Sequence, residues 1–85
     1  VDPSYVWGWH QLAEWYNETG RAESYLEAAG ELVRLQPHHP VAWMMRGEAR
    51  LQTGDRDAGK ADLRESLKIS PGYSPAAVVL FDALL

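Results

Sequence analysis

Apolar residues along the chain recur at spacings of three and four, and no segment alternates with the two-residue period of a half-buried strand. Trp9, Leu12, Ala13 and Tyr16 form the clearest stripe. Ser4 stands before it as an N-cap, and Gly20 follows where a left-handed residue ends a helix. The pattern predicts a second helix from about Arg21 to Leu35, stopped ahead of Pro37 because the residue before a proline disfavours helical geometry. The same plan then repeats. Pro40 suits the first turn of a third helix, where its missing amide hydrogen costs nothing, and Gly54 ends that helix. Asp55 caps a fourth helix running to about Ile69, before Pro71, and Ser74-Pro75 caps a fifth that continues to the end of the sequence. The expected class is all-α, with five helices.

Prolines 3, 37 and 71 stand 34 residues apart, and this interval brings much else into register. Trp9 aligns with Trp43, Glu14 with Glu48, Thr19-Gly20 with Thr53-Gly54, Glu31 with Glu65 and Leu35 with Ile69. A 34-residue helix-turn-helix unit with a tryptophan, a small residue, an aromatic and a closing proline resembles the tetratricopeptide repeat. The first unit fills the family positions with Trp9, Leu12, Ala13, Tyr16 and Pro37; the second fills them with Trp43, Gly47, Gly59, Leu63, Ser66 and Pro71. The resemblance covers essentially the whole chain. It implies a right-handed α-solenoid of antiparallel helix pairs in a single domain, 1–85. Residues 1–5 then read as the tail of a preceding repeat, 6–39 and 40–73 as two repeats, and 74–85 as a solitary or capping helix of a third unit. On that reading the chain is a piece of a longer protein.

Several positions depart from the family pattern. Tyr25 stands where a small residue is usual and Ala29 where a large one is usual, an exchange that conserves core volume. Arg46 and Arg50 replace a leucine and a tyrosine. They share a helix face and would repel each other unless paired, so their stems should pack while their heads meet water or a carboxylate such as Asp62; the competing reading makes them ligands for an anion. Phe81 fills a position where close helix approach demands a small side chain, so an ordinary following helix would collide there. The apolar residues Val79, Leu80, Leu84 and Leu85 are left without a covering neighbour, which invites self-association.

Composition narrows the function. A domain of 85 residues buries only about 60 to 65% of its unfolded surface, which leaves little room for a deep pocket. The absence of cysteine removes disulfides, thiolate metal sites and a cysteine nucleophile. A net charge of −4 disfavours binding to nucleic acid or an anionic membrane. The acidity is concentrated in residues 6–39, which hold two arginines against five glutamates. The longest apolar run, AVVLFDALL, is interrupted by Asp82 and too short to span a bilayer, so a soluble, cytoplasmic chain is the default.

Catalytic signatures are missing: no phosphate-binding glycine loop, no nucleophile elbow and no H-E-x-x-H pair. Glu14 and Glu18 share a helix face, but on a shallow surface nothing desolvates them, and they read as a solvated face. Adjacent His38 and His39 diverge on a turn and lack partners for a four-ligand site, so no metal or other cofactor is expected. This stretch reads instead as the hinge between two units, with His39 in the ring position that Tyr5 and Tyr73 fill and, if it touches function, at the rim of the groove.

The resemblance implies a non-catalytic protein-interaction scaffold, with the first helix of each unit lining a concave groove. The groove residues would be Trp7, His10, Glu14 and Asn17, then Val41, Met44, Glu48 and Leu51, and finally Val78 and Asp82. This face lacks lysine and arginine, so the family's clamp for C-terminal carboxylates is not expected. An acidic face with aromatic and methionine groups favours a peptide or helix offering apolar anchors and positive charge. Trp15 and Trp43 are assigned to the core. The alternatives are a homodimer through the C-terminal helix, or a regulatory or targeting appendage of a larger enzyme.

Overall fold

The computed structural model describes residues 6–84. Five helices follow in order: α1 (Val6–Glu18), α2 (Ala22–Leu35), α3 (Pro40–Gln52), α4 (Arg56–Ile69) and α5 (Ser74–Leu84). No strand occurs among the described residues. Helices start at residues 6, 40 and 74, and at 22 and 56, so the 34-residue interval of the sequence is also the interval of the structure.

The ends of the helices explain this regularity. Gly20 and Gly54 both adopt positive φ, at 73° and 95°, where a side chain would be strained. Each closes its helix with the same pair of bonds. The Arg21 amide donates to the Tyr16 carbonyl at 2.9 Å and Gly20 to Asn17 at 3.3 Å; Asp55 donates to Arg50 at 2.8 Å and Gly54 to Leu51 at 3.2 Å. Asp55 caps α4 by accepting from the Ala58 amide at 3.4 Å. His39 is the cap of α3, its Nδ1 accepting from the Val41 amide at 3.3 Å, with Pro40 in the first turn. The fifth helix starts one residue earlier than the sequence implies. Ser74 and Pro75 lie inside its first turn rather than capping it, because proline fits that turn without losing a bond. Ser4 lies outside the described residues.

The main core is shared by α1, α2 and α3. Ala13, Tyr25, Ala28, Ala29, Leu32 and Val33 pack with Ala42, Met45 and Ala49, and Trp9, Tyr16, Trp43 and Met44 close the edges. Tyr25 and Ala29 are both fully buried, as the exchange of large and small positions requires. Trp43 is half-buried and donates its Nε1 proton to the Pro37 carbonyl at 2.8 Å, tying the α2–α3 connection to the new helix. Between α3 and α4 the backbones nearly touch. A Cβ on Gly47 would sit 2.9 Å from the Gly59 carbonyl oxygen, and one on Gly59 would sit 2.9 Å from that of Gly47. The Ser66 hydroxyl donates to the Pro40 carbonyl at 2.7 Å across the same interface.

Arg46 and Arg50 meet Asp62, as expected. The buried carboxylate accepts from Arg46 at 2.9 Å through both oxygens and from Arg50 at 2.8 Å, while Arg46 lies 4.7 Å from the Trp43 ring centre. The pairing removes the repulsion that two arginines on one face would suffer.

Two expectations about apolar residues are corrected. Trp15 is not core but 48% exposed, with the Arg21 guanidinium 5.1 Å from its ring. The reason lies in the register. Ala42, Met45 and Ala49 on α3 are buried against the preceding pair, and Ala76 and Ala83 on α5 are buried likewise; the equivalent positions on α1 are Gly8, Gln11 and Trp15, over which no described helix packs. On α5, Val79 and Leu80 are half-buried rather than uncovered. The exposed stripe is Val78, Phe81 and Leu84, at 60, 64 and 57%. Leu85 lies outside the described residues. Arg56 donates to the Ala83 carbonyl at the C-terminal end of α5, a favourable place for a cation.

Candidate functional site

The residues expected to line a groove separate into three groups. Trp7, His10 and Val41 come together around a cleft of about 430 Å³, which also involves Val6, Leu32, Gln36, His39 and Ala42. It opens where the start of α1, the end of α2 and the start of α3 meet. Most of its lining is apolar, with polar groups from His10, Gln36 and His39. Trp7 is 62% exposed and supplies the largest apolar surface there. Glu14 lies on the same face of α1, exposed, one oxygen 3.8 Å from His10 Nδ1.

A second group is committed to holding helices together. Glu48 is half-buried and accepts from the buried Tyr25 hydroxyl at 2.7 Å and from Asn17 Nδ2 at 3.3 Å. The Asn17 side-chain oxygen in turn accepts from Gln52 Nε2 at 2.8 Å. This chain of bonds links α1, α2 and α3, so two of the expected groove groups already have partners within the fold. The Tyr25 phenol is pushed well above its ordinary range, first by burial and then by the hydrogen bond and charge of Glu48. Met44 and Leu51 are half-buried, and Met44 packs on the core.

The third group, Val78 and Asp82, is exposed on α5 and lines no described cleft. Leu32 and Gln36 were not among the expected site residues. They sit at the C-terminal end of α2, outside the first helix of either unit, and no spacing rule for the groove reaches them. His39, the ring-bearing residue before Pro40, is among the residues lining the cleft. His38 is exposed. Among the described residues no three histidines, aspartates or glutamates converge on a common point, and no helix is long and apolar enough to cross a membrane.

No family model matches the chain. It is 29% identical over 76 residues to TPR repeat-containing protein YpiA of Bacillus subtilis (strain 168), a stretch that covers 89% of this chain. The chain spans 18% of the length of that relative. Over most of its length, then, the chain is similar to a protein named for tetratricopeptide repeats, and its five helices fit the arrangement that such repeats adopt.

Proposed function

We propose that the chain is a non-catalytic module that binds another protein through the face formed by α1 and α3. A partner peptide or helix places an apolar side chain in the cleft of Trp7, His10 and Val41, with Glu14 beside it to meet a basic residue. The observation that carries this reading is the convergence of three separately expected groove residues on one largely apolar cleft of about 430 Å³. Exposed aromatic surface next to such a cleft is what a binding anchor uses. The name of the relative supports protein partners in general.

The test is selection of peptides from a displayed random library against the 85-residue chain, followed by affinity measurements on Trp7→Ala and Val41→Asp variants. Selected peptides should share a large apolar residue with a neighbouring lysine or arginine and should bind both variants at least about tenfold more weakly, a loss of about 1.4 kcal/mol. Equal binding to wild type and to both variants would show that the cleft is not the site. A second reading rests on the exposed stripe Val78, Phe81 and Leu84, which suits pairing of α5 with its copy in a second chain. Light scattering over a concentration series separates the two: a monomer at every concentration removes the dimer reading. Service as a regulatory or targeting appendage of a longer protein is compatible with the five-fold greater length of the relative and is decided by what the rest of that chain contains.

A further inference from the structure

The two helix pairs differ at equivalent positions on the other side of α1. In the second pair, Trp43, Arg50 and Asp62 border a space that guanidinium groups fill. Arg46 lies 4.7 Å from the Trp43 ring centre, and Asp62 holds Arg46 at 2.9 Å and Arg50 at 2.8 Å. The residues 34 positions earlier are Trp9, Tyr16 and Ala28, with Leu12 in place of Arg46. No long cationic side chain enters from α1 there. Trp9, Tyr16 and Ala28 instead line a cleft of about 510 Å³, whose α2 edge carries Glu27, Glu31 and Arg34. At 100° per residue, Trp9 and Tyr16 lie roughly opposite Trp7 around α1, so this cleft is separate from the one bordered by Trp7 and Val41.

We propose that this cleft receives an arginine side chain presented by a partner polypeptide. The chain itself displays the occupant that such a space takes, since at the equivalent place it packs the Arg46 head between Trp43 and the Asp62 carboxylate. A guanidinium is planar and weakly hydrated, and it can lie on an aromatic ring while donating to an acid; a lysine ammonium does this less well. Ala28 in place of Asp62 also matters. A buried aspartate with no cation would be costly, whereas the acids of this cleft stand at its edge, Glu27 exposed and Glu31 paired with Arg34. Arg34 donates to Glu31 at 2.6 Å, so its charge is already matched. Glu27, one turn earlier on the same face of α2 and exposed, is the carboxylate presented to an incoming cation. Two glutamates against one arginine leave the edge negative, in keeping with the acidity of residues 6–39.

The test is a titration of the isotope-labelled 85-residue chain with acetylated, amidated alanine pentapeptides that carry arginine, lysine or citrulline at the centre. The arginine peptide should shift the Trp9 indole resonance and the amides near Glu27. Citrulline, which keeps the shape but loses the charge, should bind at least roughly tenfold more weakly. Glu27→Gln should weaken the arginine peptide, and Arg34→Gln, which releases Glu31, should strengthen it; both sites are exposed, so neither variant threatens the fold. Leu12→Arg with Ala28→Asp, which fills the cleft with the chain's own ion pair, should abolish the response while the spectrum stays dispersed. Equal binding of arginine and citrulline peptides, no shift at the Trp9 indole, or shifts confined to Trp7 and Val41 would overturn the proposal.

Discussion

Single glycines and a single tyrosine carry much of the specification of this fold. Gly47 and Gly59 let α3 and α4 approach until a Cβ on either would press on the opposite carbonyl oxygen at 2.9 Å. Gly47→Ala should therefore cost about 1–3 kcal/mol in denaturant unfolding, since the rigid backbone opposite cannot yield. Gly30 is the contrast: it lies inside α2 with nothing within 4 Å of an added Cβ, so Gly30→Ala should stabilise by about 0.5–1 kcal/mol through the unfolded chain and helix propensity. Tyr25 makes a pH prediction. Its phenol holds its proton more tightly folded than unfolded, because of burial and Glu48. The associated stability is fully present below about pH 10, the ordinary tyrosine value, and is lost as pH rises above it. Chemical denaturation from pH 8 upward should show this decline in the wild type. In Tyr25→Phe the decline should flatten by up to about 1.4 kcal/mol per pH unit, while the lost bond to Glu48 costs about 1–2 kcal/mol at neutral pH. Identical alkaline slopes would contradict the assignment.

At the scale of elements, equivalent helices solve the same packing problem with different chemistry. In the first pair Leu12, Tyr16 and Ala28 occupy the positions that Arg46, Arg50 and Asp62 take in the second, so apolar residues and an alanine stand where the second pair has an ion cluster. Asp62→Ala should cost about 2–4 kcal/mol, because two half-buried cations lose their shared acceptor. The triple change Arg46→Leu, Arg50→Tyr, Asp62→Ala should recover most of that loss, which thermal unfolding of the three proteins will show. The ion cluster was legible in the sequence because two arginines at apolar register positions demand a carboxylate, and Asp62 is the acid facing them. Helix limits were legible because glycine and proline act locally. Trp15 was misread because helical spacing locates a face without saying what lies over it. The equivalent Ala49 and Ala83 are buried by a preceding helix pair, whereas no described helix covers α1 there.

For the molecule as a whole, the sequence groups candidate groove residues on α1, α3 and α5 but cannot divide them. Residues sharing a face are free to bond to one another across helices, and only tertiary packing separates Asn17 and Glu48, which do so, from Trp7, His10 and Val41, which border a cleft. The end of α2 completes that cleft with Leu32 and Gln36, a contribution made by tertiary packing rather than by helical period. The most direct test of the central claim is a chemical-shift map of the labelled chain against a peptide selected for binding it. The largest shifts should fall on Trp7, His10, Gln36 and Val41, with α5 unaffected; shifts concentrated on Val78, Phe81 and Leu84, with the cleft silent, would contradict binding at the cleft.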